Sequence, residues 1–184
     1  MHCFWQRGFA ATSIDELVRT IGISRHSLYG DFGGKEELFV ACLDTYSRDV
    51  VTPAFAQVEE ERATLEAVAQ YFEFQIARGE DAGFPGPGCL MANVMTEVAP
   101  HNPPIAAIVD THNERLRHGF SKALQNTAKS QRTKLGNAST MSLATILVVF
   151  ANGLWSMSRA VTSAAPLRSA VREQLRLIEQ RITT

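Results

Sequence analysis

Apolar residues recur at helical spacing along the whole 184-residue chain, and nowhere do they alternate with polar residues in the period of a strand. Ile14, Leu17, Val18 and Ile21 form one apolar face near the start. Leu28 and Phe32, four apart, turn inward with Ile23 on a second short helix. Beyond them the pattern predicts helices over residues 36–56, 60–78, 88–98, 104–129, 139–162 and 166–182. Between these lie a Gly/Pro-rich loop at 80–88, the Pro100-His101-Asn102-Pro103-Pro104 break and a polar stretch at 129–139. No internal repeat is visible. The fold class is all-α, with short helices in a head at residues 1–47 and longer ones in a body at 48–184.

The head has the local signals of a helix-turn-helix unit. Ser13 and Glu16 make a capping box, Gly22 supplies a left-handed break, and Ser24 caps the second helix. Arg25, His26, Ser27 and Tyr29 then crowd the start of that helix, the part that meets base edges in a major groove. Arg25 suits guanine or phosphate, and His26 and Ser27 suit either a base or the backbone. Lys35 opens the next helix, where its ammonium and the free N–H groups can hold a phosphate. The candidate DNA-contacting set is Ser13, Ser24, Arg25, His26, Ser27, Tyr29 and Lys35. The plainer alternatives are a packing role for Tyr29 and an intrahelical pair for Lys35 beside Glu36 and Glu37.

The stretch from Arg7-Gly8-Phe9-Ala10-Ala11-Thr12-Ser13-Ile14 through Leu38 resembles the N-terminal domain of the TetR family of bacterial transcriptional repressors. The resemblance implies that Tyr29 and Lys35 grip the DNA backbone, and that the last two helices pair across a two-fold axis as a four-helix bundle. Asp31 departs from the neutral or basic residue usual at its position and is expected to face away from phosphates. The family's first helix is represented here only by residues 1–8, with Phe4 and Phe9 expected to pack on Ile14, Leu17 and Phe32. The expectation is that Met1 is internal to a longer natural chain, whose upstream residues complete the helix and add a basic arm.

The body reads as a sensor. Met91, Val94, Met95 and Val98 line one helix, Ile105, Val109, His112 and Phe120 another, and Phe150, Leu154, Trp155 and Met157 a third. Aromatic and Met side chains around a few polar groups suit a small-molecule pocket. Candidate ligand contacts are Phe72, Gln75, Met91, Met95, His112, Phe150, Asn152 and Trp155, for an apolar or aromatic inducer; plain core is the alternative for each. Gly88-Cys89-Leu90-Met91-Ala92-Asn93 resembles a helix start in one group of TetR-like ligand domains. Leu167, Val171, Leu175, Ile178 and Ile182 form a stripe expected to make the homodimer interface, and helix 36–56 is the natural lever between head and body.

Charge tempers the DNA reading: residues 1–50 hold five Lys/Arg against seven Asp/Glu, so binding depends on local cations and helix starts. Cys3, Cys42 and Cys89 are widely separated and point to neither a disulfide nor a zinc site. No catalytic motif, metal spacing or cofactor loop is present in the sequence, so no enzyme activity and no cofactor are expected. The longest apolar run, 144–155, is short for a membrane span and no signal-peptide pattern opens the chain, which predicts a cytoplasmic protein without a membrane partner. The reading is a ligand-responsive homodimeric repressor on a palindromic operator. The alternative is a TetR-like ligand- or protein-binding module that does not touch DNA in this short form.

Overall fold

The computed structural model describes residues 1–183, and among these there is no strand. The head holds α1 (His2–Arg7), α2 (Ile14–Ile21), α3 (Arg25–Phe32) and α4 (Lys35–Tyr46). The body holds α5 (Thr52–Glu59), α6 (Leu65–Ala82), α7 (Leu90–Glu97), α8 (Pro103–Ser130), α9 (Asn137–Met157) and α10 (Ala165–Thr183).

Helix α4 does not stop before α5. The backbone stays helical through a π segment, Ser47–Val51, so head and body share one rod from Lys35 to Glu59. Pro53 supplies the reason. It has no N–H for the carbonyl four residues back, and the wider π turn just upstream accommodates the lost bond, with the Thr52 N–H and hydroxyl both donating to the Ser47 carbonyl. The expected single helix 36–56 is therefore longer at both ends and interrupted in its middle.

Two apolar clusters result, and their boundary does not follow residue 47. Phe4, Leu17, Leu28, Phe39 and Leu43 of the head pack with Met91 and Val94 of α7 and with Ile105 and Val109 at the start of α8. The second cluster joins α5, α6, α9, α10 and the rest of α8 around Phe55, Phe72, Phe120, Leu147 and Leu154. Helix α7 thus belongs by packing to the head.

Several expectations are corrected here. Phe4 and Phe9 pack against Phe39, with ring centroids 4.8 Å away in both cases. Phe32 is left 38% exposed, and Ile21 is also exposed. Helix α6 starts at Leu65 rather than residue 60, its first N–H taken by the Thr127 hydroxyl at 2.8 Å. Helix α9 ends at Met157 rather than 162. Leu167, Val171, Ile178 and Ile182 are buried in their own subunit, with Leu175 packed against the same cluster. The α10 stripe packs within its own chain, while Leu177 of the same helix stays exposed.

Helix α9 behaves oppositely. Ala144, Leu147, Ala151 and Leu154 are buried, while Met141, Ile146, Val149 and Met157 stand exposed, Val149 by 67%. At 21 residues the helix is longer than the apolar run in the sequence suggests. By length and composition alone it could cross a bilayer, but half of its most apolar 18-residue window is buried within the subunit.

Candidate nucleic-acid interface and ligand cavity

The candidate DNA residues lie at the N-terminal ends of three consecutive helices. Ser13 caps α2 by accepting from the Glu16 N–H at 3.2 Å. Only half of the capping box forms, because the Glu16 carboxylate pairs with Arg7. Gly22 ends α2 in the left-handed region (φ 78°, ψ 26°), a conformation costly for a residue with a Cβ, and its N–H donates to the Val18 carbonyl. Ser24 then caps α3, accepting from the Ser27 N–H at 3.0 Å, with the two hydroxyls also in contact. Leu28 is fully buried and fixes α3 onto the head core.

His26 and Tyr29 are exposed on α3, Tyr29 by 49%. Arg25 is not free: its Nε donates to Asp15 Oδ1 at 3.0 Å, and this bond holds the guanidinium still more firmly in its charged form. Both partners are exposed, so a phosphate or guanine can replace Asp15 without a buried charge being stranded. Lys35 places its Nζ 4.3 Å from the centre of the Phe9 ring. Helix α4 has Gly34 as its N-cap and no side-chain cap, leaving its first N–H groups open to an anion.

Side-chain hydrogen bonds fasten this head to the segment 88–102 of the body. The Trp5 indole N–H donates to the Gly88 carbonyl at 2.8 Å. The Glu97 carboxylate accepts the Phe9 and Ala10 N–H groups at 3.0 and 2.8 Å. Gly8, at φ 86°, allows this approach, since a Cβ there would lie 2.6 Å from Glu97 Oε2. Asn102 Nδ2 donates to Glu36 Oε1 at 2.7 Å.

Beside the first of these contacts is a cavity of about 140 Å³. Trp5, Tyr46, Phe84, Cys89, Trp155 and Leu167 form much of its wall, and Gln75 is also exposed to it. Tyr46 meets Trp5 edge-on at 5.0 Å and donates its hydroxyl to Cys89 Sγ at 3.5 Å. Burial pushes the Tyr46 phenol and the Cys89 thiol upward in pKa, so both are neutral near pH 7.

Of the eight candidate ligand contacts, only Gln75 and Trp155 line this cavity. Phe72 and Phe150 pack edge to face at 5.6 Å in the body core. Met91 is buried on the head side, where Met95 also packs. Asn152 donates to Asn113 Oδ1 at 3.0 Å, and Asn113 in turn contacts Met95 Sδ at 4.0 Å. His112 is buried with its Nδ1 lacking a hydrogen-bond partner among the described residues. Burial, with a smaller push from Arg115, lowers its pKa to about 4. Trp5, Tyr46, Phe84 and Cys89 escaped the sequence reading because the cavity joins segments more than 80 residues apart. The density of Gly and Pro at 83–88 was the signal that could have marked one wall.

A helix-turn-helix head latched to an all-helical body defines a class of one-chain DNA-binding regulators. Residues 1–42 match the family described as bacterial regulatory proteins, tetR family, and residues 64–174 match the tetracyclin repressor-like C-terminal domain. The chain belongs to the TetR family. The HTH-type transcriptional repressor ComR of Escherichia coli (strain K12) is 37% identical over 107 residues, which cover 58% of this chain and 50% of ComR. The HTH-type transcriptional regulator YezE of Bacillus subtilis (strain 168) is 26% identical over 121 residues, covering 66% of this chain and 62% of YezE. The matches thus span about half to three-fifths of the length of these curated relatives.

Two solved structures show the same fold. A cysteine mutant of the TetR family regulator CifR, complexed with a 26-base-pair operator DNA, superposes with a TM-score of 0.79 at 22% identity, covering 94% of this chain and 90% of CifR. A TetR regulator from Chloroflexus aurantiacus J-10-FL gives 0.80 at 20% identity, with 96% and 88% covered.

Proposed function

We propose that this protein is a homodimeric, ligand-responsive transcriptional repressor that works in the cytoplasm and is released from a palindromic operator by a small apolar or aromatic inducer. The observation that carries the DNA part is the start of α3. It is capped by Ser24, anchored by buried Leu28, and carries exposed His26 and Tyr29 beside Arg25. Ser27 and the open start of α4 with Lys35 complete the DNA-contacting set, with Ser13 at the start of α2. The exposed apolar face of α9 supports dimerisation, since water is a poor neighbour for Ile146, Val149 and Met157. Two heads on such a dimer set their α3 helices in successive major grooves, and inducer and operator each lower the other's affinity.

A gel shift with the DNA flanking the protein's own gene tests this reading. A discrete, competable complex is expected. The competing reading, a module that does not bind DNA, draws support from the acidic head and from the ties of Arg25 to Asp15 and of Lys35 to Phe9. It prevails if no complex forms at low salt.

A further inference from the structure

The cavity at the head–body junction is unusual in drawing its wall from both apolar clusters. Trp5 comes from the first helix of the head, Tyr46 from the end of α4, and Phe84 and Trp155 from the body. At about 140 Å³ it matches the engineered cavity of roughly 150 Å³ that holds one benzene molecule. A single ring fits.

Its polarity is equally restrictive. Arg78 is the one wall residue that carries a formal charge, and its guanidinium lies 5.8 Å from the ring of exposed Phe74. The Ser158 hydroxyl is committed to the Trp155 carbonyl at 2.7 Å. Gln75 keeps an amide that makes no hydrogen bond among the described residues. A cationic ligand would lose its hydration beside Arg78 without gaining a counter-charge, whereas a neutral ring with one polar substituent would meet aromatic walls and one amide.

We propose that this cavity binds an uncharged single-ring aromatic molecule bearing one hydrogen-bonding group, oriented by Gln75, and that the ligand acts on the head by displacing Trp5 from the Gly88 carbonyl. This rests on the ligand-responsive reading above and gives it a place, a chemical class and a coupling residue. Trp5 is suited to the role because its hydrogen bond to Gly88 is one of those that set the head on the body. Its ring is at the same time part of the cavity wall.

The chain has two tryptophans, Trp5 and Trp155, and both line the cavity, so intrinsic fluorescence reports occupancy directly. The full chain is titrated with phenol, benzaldehyde and toluene as neutral one-ring probes, with benzylammonium as the charged one. Saturable fluorescence changes are expected with phenol or benzaldehyde, and none with benzylammonium. Gln75→Leu is expected to favour toluene over phenol by about tenfold relative to wild type, the scale of one net hydrogen bond. Operator affinity, read by anisotropy of labelled DNA, should fall by about 5- to 150-fold with the bound probe in wild type. In Trp5→Phe the probe should still quench Trp155 while the operator effect shrinks below about twofold, about fivefold or more being the range of a specific coupling.

Failure of every neutral probe, equal binding of benzylammonium, or no change of preference in Gln75→Leu overturns the site. Undiminished coupling in Trp5→Phe overturns the role of Trp5. Absence of operator binding without any probe contradicts the repressor reading instead, and the fluorescence titrations then judge the cavity on their own.

Discussion

Helices α9 and α10 lie next to each other in the chain and treat their apolar residues in opposite ways. Helix α10 has one apolar stripe, and Leu167, Val171, Ile178 and Ile182 bury it against their own subunit, with Leu177 left exposed beside it. Helix α9 is apolar on more than one side; it buries Ala144, Leu147, Ala151 and Leu154 and still exposes Ile146, Val149 and Met157. A single stripe is what any surface helix needs to join its own core, whereas a second apolar face remains after the core is complete. The surplus face, rather than the regular stripe, is the better mark of an interface.

Substitutions should separate the two helices cleanly. Ile178→Ala on α10, at a site 2% exposed, should cost about 2–5 kcal/mol of stability in chemical denaturation. Val149→Ala on α9 should change the stability of the isolated subunit by no more than about 0.5 kcal/mol. The double change Ile146→Glu and Val149→Glu should leave helical circular dichroism intact and yield monomers in sedimentation. A folded dimer carrying both glutamates would end the assignment of α9 as the interface.

His112 sharpens the contrast between buried and exposed polar groups in the body. Its folded-state pKa, about 4, lies below the ordinary 6.5. Between these values the unfolded chain takes up a proton that the folded one does not, so stability falls as the pH drops from 6.5 towards 4. From pH 7 to 5 the loss should be about 2 kcal/mol. His112→Gln should remove that slope, and an unchanged slope would reassign it to other groups.

Smaller effects are expected in the head. His26→Ala should cost about 1–3 kcal/mol on the operator and little on random DNA if the imidazole reads a base edge. Tyr29→Ala and Lys35→Ala should weaken binding to both DNAs alike, because phosphate contacts carry no base information. Quantitative gel shifts on the two DNAs decide between these patterns.

The head was legible in the sequence because its signals are local. The caps at Ser13 and Ser24 and the break at Gly22 each act within a few residues, and all three stand in the structure as the sequence implies. Arg25 was legible as an exposed cation, but its bond to Asp15 depends on how α2 and α3 pack. The body was less legible because an apolar stripe does not name its partner. Met91 and Phe72 read alike as candidate pocket residues, yet one packs with the head and the other with the body. The cavity was hidden for the same reason, since Trp5 and Gly88 meet only through the fold. Pro53 was visible, and the π segment it accompanies shows how a rod can accept a proline without stopping.

The central claim joins the two exposed faces: α9 pairs two copies, and the pairing sets two α3 helices on one DNA duplex. Hydroxyl-radical footprinting on the DNA flanking the protein's own gene tests both at once. The account predicts two protected patches related by a dyad, with their centres about one helical turn apart, roughly 34–36 Å, or at a whole multiple of it. The Ile146→Glu, Val149→Glu variant should lose this paired pattern. A single asymmetric patch, or no protection at low salt, would contradict the account.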